Sequence, residues 1–312
     1  MKSLSLGVLL ASVLLTGCGG GGGGGSLGVN FPNNAVLAEA TQENGEKVAK
    51  ATVSRSASYG LNNIDDSSGA NTSLIARNIS NILSKSVENL PQSNALNSIV
   101  SIIEDCDIKG TISGSFNADT GAYAITYTNC KNTGFDTITG SLSGTIEFIK
   151  LNGEDELKKA TLEVKSALSV KKNDIVYSTM QVGSFMNVEY SVAGDDTEDV
   201  TITLSAIGVE NNQKYGCKDC KFHVKLLTNH DIQIYQTKGQ LYIGNNLEAY
   251  VTYDTSYNMS ATPFVFSNND GRVNDGGIAR YTAKDNKTIG IKAESGVVNL
   301  YIDGTFSKEI DL

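Results

Sequence analysis

Tryptophan is absent from this chain of 312 residues, and proline and histidine are scarce, with 3 and 2 occurrences. Zinc sites, haem ligation and base-driven hydrolysis all depend on histidine, and this chain can supply only His223 and His230. Basic charge is also scarce, with 25 Lys plus Arg against 34 Asp plus Glu and a net charge of −9. Nucleic-acid binding needs a basic face that displaces phosphate counterions. We therefore expect no catalytic site, no metal, no cofactor and no nucleic-acid partner.

The amino terminus has the pattern of a secretory signal. Lys2 is followed by an apolar run over residues 4–15. This run is shorter than the about 20 apolar residues that a membrane-spanning helix needs. The sequence therefore predicts an exported protein from which residues 1–17 are removed.

The tetrapeptide Leu15-Thr16-Gly17-Cys18 ends the apolar run and is followed at once by glycines at positions 19–25. It resembles the lipobox of bacterial lipoproteins, which implies cleavage before Cys18 and acylation of that residue. Each buried CH₂ contributes about 0.8 kcal/mol, so several acyl chains anchor a domain stably. Gly19 stands where aspartate retains such proteins in the inner membrane. The resemblance thus implies the outer membrane, at its periplasmic face or at the cell surface.

Residues 18–70 are rich in glycine, asparagine and serine and contain few large apolar side chains. Such a composition is typical of a flexible linker, so we expect this part to carry the lipid anchor and to act as a tether. A helix within residues 35–51 stays open as an alternative, because Gly45 weakens its pattern.

Two amphipathic helices are expected over residues 71–106. Apolar residues there are spaced by three and four, and Pro91 separates two such stripes. The stripes consist of Leu74, Ile75, Ile79, Ile82, Leu83, Val87 and Leu90, and of Leu96, Ile99, Val100 and Ile103. Packing against the domain is the commoner role of such a face, although a partner-binding helix would show the same pattern.

Residues 107–312 predict a β-rich region. Apolar and polar residues alternate with a period of two from Ile108 to Phe116 and in many later segments. Asn-Gly and Asp-Gly dipeptides separate several of these segments, as expected for hairpins. No helix-length pattern intervenes, which excludes crossovers between parallel strands. We expect a mainly β fold with one large antiparallel sheet, curved or sandwich-like, and the two helices packed on it, so that residues 71–312 form one folding unit.

The cysteine count favours disulfides. With Cys18 assigned to the lipid, four cysteines remain in an exported chain. Suppose that residues 117–121 close a hairpin that places Phe116 opposite Ala122. The two cysteines that flank this hairpin are then offset by two residues in the strand register, and one bulge would bring them opposite each other. The expected bridges are Cys106 with Cys130 and Cys217 with Cys220.

The motif Cys217-Lys218-Asp219-Cys220 leaves two other functions open. A redox-active C-x-x-C is one, but the βαβ context of thioredoxin-like proteins is missing. A zinc site completed by His223 and His230 is the other, but a closed zinc site normally has a better supply of ligands. We favour the structural disulfide.

Tyrosines are concentrated in one part of the β region, where they could form a stacking platform for a ligand. Tyrosine is also an ordinary strand residue. The candidates are Tyr235, Tyr242, Tyr250, Tyr253 and Tyr257.

Together these features predict a lipid-anchored protein of the cell envelope with a structural or interaction role and no catalytic site. Its partners would be the membrane, through the anchor, and a protein or a glycan. The alternative is a carbohydrate-binding, adhesive or lipid-binding module displayed on the outer membrane. That alternative needs the tyrosines to be exposed or an apolar interior to be left empty.

Overall fold

The computed structural model describes residues 28–59, 99–131, 137–151, 154–172, 174–192, 198–210, 213–226, 232–254, 262–266, 276–294 and 297–310. Within these ranges the chain forms one α-helix, α1 (Gln42–Tyr59), and a short 3₁₀ helix (Lys284–Asn286). The strands of the same ranges are β1 (Val36–Leu37), β2 (Ile99–Asp105), β3 (Lys109–Asn117), β4 (Ala122–Lys131), β5 (Thr137–Leu151), β6 (Glu154–Lys172), β7 (Ile175–Met180), β8 (Phe185–Val192), β9 (Glu198–Glu210), β10 (Gln213–Leu226), β11 (Ile232–Ile243), β12 (Ala249–Asp254), β13 (Phe264–Phe266), β14 (Ile278–Thr282), β15 (Thr288–Glu294), β16 (Val297–Ile302) and β17 (Thr305–Ile310).

The strands follow one another as an antiparallel meander, which confirms the expected mainly β fold. Consecutive strands pair from β2 to β6. Strands β7 and β8 both pair with β6 on one side and with β9 on the other, so they act as one long strand interrupted at residues 181–184. The order continues through β10 to β11, which pairs with both β12 and β13.

The carboxyl-terminal strands join this sheet at a narrow contact. Strand β12 pairs with β14 at Thr252 and Thr282, and β14 to β17 then form a regular meander. Beside this contact, β1 runs parallel to β12 and pairs with Ala249 and Tyr250. Residues from each of the strands β2 to β17 contribute to one large hydrophobic cluster, the main core.

The face of β3 to β5 that lines the main core alternates large and small side chains. Tyr123 of β4 lies opposite Gly144 of β5, and Tyr127 lies opposite Gly140. The Tyr123 hydroxyl passes over Gly144 and donates a hydrogen bond to the Thr161 carbonyl of β6 at 2.9 Å. Burial raises the pKa of this phenol, so it stays neutral and can donate. Glycine is needed at both positions, because an added Cβ would lie 2.8 Å from the Tyr123 hydroxyl at Gly144 and 2.5 Å from the Ala167 carbonyl oxygen at Gly140.

Helix α1 covers the main core beside the carboxyl-terminal strands. It contacts β11, β13, β15, β16 and β17, and Val48, Ala49 and Ala51 are fully buried. The Thr41 side chain accepts a hydrogen bond from the Asn44 amide at the first turn. Gly45, which weakened the sequence pattern, faces β16, where an added Cβ would lie 2.8 Å from Leu300 Cδ1. Close packing therefore explains this glycine.

Two expectations for the amino-terminal half are corrected. The second predicted helix is wrong, because residues 99–105 form β2 and pair with β3 throughout. Ile99 and Ile103 are 64% and 78% exposed while Ile102 between them is buried, which is a period of two. The first predicted helix, over residues 71–90, lies outside the described residues. The tether is shorter than expected, because residues 28–59 belong to the fold.

The substitution Gly144→Ala tests the close approach between β4 and β6. Its Cβ would lie 1.8 Å from the Thr161 carbonyl oxygen and 2.8 Å from the Tyr123 hydroxyl. We expect the free energy of unfolding, measured in urea, to fall by about 2 kcal/mol or more, since overpacking forces the backbone to shift. Gly28→Ala is the control, because nothing lies within 4 Å of its added Cβ. Equal stability of the two variants would contradict this packing.

Candidate functional site

The first described residues cross the outside of the sheet as a strap, which we define as residues 28–38. The Val29 amide donates to the Gly183 carbonyl at 3.1 Å, in the interruption between β7 and β8. The strap then reaches β12, where the Val36 amide donates to the Glu248 carbonyl and the Ala38 amide to the Tyr250 carbonyl. The segment that follows the expected tether is thus fastened to both sides of β9, β10 and β11.

Beneath the strap lies a second, smaller hydrophobic cluster on the face opposite the main core. Its buried members are Ile207, Tyr242 and Leu247. Their neighbours along the strands, Ala206 and Leu241, face the main core, as the alternation of a β-strand requires. We call the side of β9 to β12 that carries this smaller cluster the strap face.

Phe31 is the residue that fastens the strap to this face. Its ring centroid lies 4.8 Å from that of Tyr242, which in turn lies 5.3 Å from Tyr250. Gly216 of β10 forms the floor of the slot, since a Cβ added there would lie 3.0 Å from the Phe31 ring. Burial, with Tyr250 and Asp219 nearby, raises the pKa of Tyr242. The Tyr242 hydroxyl donates to Gln240 Oε1 at 3.2 Å.

The chain then passes from the strap face to the main core between β12 and β14. The Ala38 amide bonds to β12, and the Ala38 carbonyl accepts a hydrogen bond from the Lys284 amide at 2.8 Å. The Ala38 side chain belongs to the main core, and the Lys284 ammonium pairs with the Glu39 carboxylate. Residues 36–38 therefore fill the gap that opens where β12 and β14 diverge.

The structure separates the tyrosines that the sequence groups together. Tyr242 and Tyr250 stack on the strap face under Phe31. Tyr253 points into the main core, where its ring lies 5.4 Å from that of Tyr281. The Tyr235 side chain and Tyr257 lie outside the described part of the structure. Among the described tyrosines, two of the candidates thus share a face, and Phe31 covers the ring of one of them, Tyr242.

The Cys217–Cys220 pair forms a disulfide within one strand. Two residues of β10 between the cysteines lie opposite one residue of β9, which makes a bulge. Both sulfur-bearing side chains are fully buried in the main core. His223 lies on the other face, with Nδ1 3.4 Å from Thr201 Oγ1. A zinc site made from the two cysteines and His223 is therefore wrong, and His230 is outside the described residues.

A partly buried polar chain joins this disulfide to helix α1. Gln236 of β11 donates from Nε2 to Cys220 Sγ at 3.6 Å, and its Oε1 accepts from the Tyr281 hydroxyl at 3.1 Å. Thr52 of α1 places its hydroxyl 2.9 Å from the same Tyr281 oxygen. Each polar atom in this chain has a partner, which is what burial in an apolar core requires.

The Cys106–Cys130 disulfide ties the end of β2 to β4 across β3. The hairpin register differs by one residue from the expected one, since Phe116 pairs with Tyr123. The expected bulge is present between Lys109 and Thr111. It requires glycine at Gly110, whose φ is +81° and whose added Cβ would lie 2.2 Å from the Asn129 carbonyl oxygen.

The chain shows no match to a known protein-family model, and no curated protein is significantly similar to it. The described residues contain no helix that is long and apolar enough to cross a membrane. The same residues contain no cluster of three or more His, Cys, Asp or Glu side chains arranged to hold a metal ion.

Phe31→Ala tests how firmly the strap is held. A fully buried Phe→Ala change costs about 3–5 kcal/mol, so the half-buried Phe31 should cost about 1–2 kcal/mol of unfolding free energy. We also expect faster hydrogen exchange of the Val36 and Ala38 amides, which are bonded to Glu248 and Tyr250. Asn30→Ala, at an exposed strap position, is the control. Unchanged exchange in Phe31→Ala would show that the ring does not hold the strap.

The two disulfides should differ in their effect on stability. Cys106 and Cys130 are 24 residues apart, whereas Cys217 and Cys220 are 3 apart. A loop of the first size contributes about 3 kcal/mol through the unfolded chain, and a short loop contributes less. We expect the double alanine variant of the first pair to show the larger fall in melting temperature. A larger fall for the second pair would show that its position in the core outweighs loop entropy.

Proposed function

We propose that this protein is a lipid-anchored component of a bacterial cell envelope, with a structural or interaction role and no catalytic activity. The motif Leu15-Thr16-Gly17-Cys18 carries the proposal, because it combines an apolar signal with a cysteine at the cleavage position. Acylation of Cys18 would hold the mature chain in the membrane.

The strap supports this proposal from the side of the folded domain. An anchored domain needs a firm connection between its tether and its core, and residues 28–38 make such a connection. Hydrogen bonds to Gly183 and Tyr250 and the ring of Phe31 fasten the segment that directly follows the tether. A force applied through the anchor would therefore be distributed over contacts on both sides of β9 to β11 and not concentrated at one terminal residue.

Gly19 after the lipobox cysteine favours the outer membrane as the address of the protein. The glycines that follow would place the domain either in the periplasm or at the cell surface, and both settings suit an interaction role. The two disulfides fit an exported protein, since disulfides persist in oxidising compartments.

The alternative function, a carbohydrate-binding or adhesive module, depends on aromatic rings that a ligand can reach. Tyr242 and Tyr250 are the stacked pair, and Phe31 lies against Tyr242. A sugar would have to displace Phe31 to reach the Tyr242 ring. The covered stack is therefore better explained as the fastening of the strap.

Cys18→Ser in the full chain tests the proposed anchor. Expressed in a Gram-negative host, the wild type should fractionate with membranes and have an intact mass that includes acyl chains. The variant should be soluble or retain its signal, because the acylated thiol is missing. Ser26→Ala, a change in the same segment, should leave anchoring intact. A wild-type mature chain without acyl groups, or one that starts elsewhere than Cys18, would contradict the proposal.

A further inference from the structure

Three exposed lysines lie together on the strap face, namely Lys218 and Lys221 of β10 and Lys238 of β11. Lys221 and Lys238 are directly opposite each other in the β10–β11 ladder, and Lys218 is opposite Gln240. None of the three forms an ion pair with any described residue. In contrast, eight other lysines of the described residues do so: Lys47, Lys109, Lys158, Lys159, Lys165, Lys284, Lys292 and Lys308.

The side chains of these lysines share a face with the strap. Cys217, Cys220 and Gly239 are buried beside them, so their neighbours along each strand must point outward. The slot that holds Phe31 is built from Gly216 and Tyr242 of the same two strands. Gly216 is two residues before Lys218, and Tyr242 is four residues after Lys238, so each shares a face with its lysine. We call Lys218, Lys221 and Lys238 the basic patch.

The acidic groups near the basic patch are few. Asp219 lies between two of its members in sequence, and Asp254 is opposite Lys238 in the β11–β12 ladder. Glu189 of β8 is already bonded to Lys159, and its pKa is lowered mainly by Lys159 and Asn187, with a smaller contribution from Lys221. Three lysines against these two aspartates leave a small excess of positive charge on this face, in a chain whose net charge is −9.

The position of the patch relative to the anchor indicates what it meets. The strap enters this face at Gly28 and Val29, and about ten residues separate Gly28 from Cys18, which span at most about 35 Å. A domain anchored at Cys18 therefore has its strap face within reach of the bilayer surface. Phosphate-bearing lipid headgroups are the anions at that surface, and lysines near such a surface each contribute about 1 kcal/mol of attraction.

We infer that the basic patch binds the anionic headgroup surface of the membrane that holds the anchor, so that the domain lies with its strap face toward the bilayer. The inference rests on the proposed anchoring through Cys18 and adds an orientation to it. Because the rest of the protein is acidic, the other faces are repelled by the same surface. Helix α1 and the carboxyl-terminal hairpins, which pack on the main-core side of the sheet, then face away from the membrane and are the surfaces available to partners.

Vesicle binding by the unlipidated mature chain, residues 18–312 with Cys18→Ser, tests the inference without the anchor. We expect this chain to float with phosphatidylglycerol-rich vesicles at low salt and not with phosphatidylcholine vesicles. At about 1 M salt the Debye length is about 3 Å, so binding should be lost. The triple variant Lys218→Gln, Lys221→Gln, Lys238→Gln should bind roughly a hundredfold more weakly, since 1 kcal/mol is about fivefold per lysine.

The matched control is the triple variant Lys47→Gln, Lys109→Gln, Lys292→Gln, which removes the same charge from lysines that are already paired. It should bind like the parent chain, and melting curves should show that both variants are folded. Equal losses in the two variants, binding to neutral vesicles, or binding to an acidic protein or glycan but not to vesicles would each overturn the inference. These results leave the acylation test of Cys18 unaffected, so the two proposals fail separately.

Discussion

Residues 36–38 fill the gap between β12 and β14, and the placement of the strap and of helix α1 depends on this contact. On one side the Ala38 amide completes the edge of β12, and on the other its carbonyl accepts a bond from Lys284. Without these residues both strand edges would carry unpaired backbone groups, which is costly beside a hydrophobic core. The same three residues lead the chain from the covered aromatic cluster to the buried face of α1.

The contacts on either side of this gap are of different kinds. On the main-core side, α1 brings alanine and valine against leucine and isoleucine, together with one chain of satisfied polar groups from Thr52 to Cys220. On the strap side a single phenylalanine occupies a slot above a glycine. One segment of the chain is thus held at one end by the large buried area of α1 and at the other by the small aromatic contact of Phe31. Loss of either contact would leave the residues between them less firmly positioned.

Much of the sheet was predictable, because alternation of apolar and polar residues and Asp-Gly turns are local signals. The Cys106–Cys130 pair followed from hairpin arithmetic, although Phe116 pairs with Tyr123 instead of Ala122. Cys217–Cys220 followed as the remaining pair. The helix predicted over residues 99–103 is wrong because Ile99 and Ile103, four residues apart, fit a helical stripe. Residues four apart also lie on one face of a strand, and only Ile102, which is buried on the other face, distinguishes the two patterns. Parity along β12 could have separated Tyr250 from Tyr253, which are three residues apart and so face opposite sides of a strand.

The strap was not predictable from such local patterns. Its apolar residues are few and irregularly spaced, and the partners of Phe31 and Val36 lie in distant strands. An aromatic residue isolated in a polar, glycine-rich segment was the only available sign, and it does not name its partner. The lysines of the basic patch were equally hidden, because they become neighbours only through pairing of β10 with β11.

The gap between β12 and β14 also sets an order on assembly. Glu39 and Lys284, which close it, are 245 residues apart. Because a chain is synthesised from its amino terminus, the strap emerges from the ribosome long before the strands that receive it. Contacts of such long sequence separation are slow to form, because their loop-closure entropy is lost before they contribute stability. The strap is therefore among the first segments to be synthesised and among the last to reach its native position.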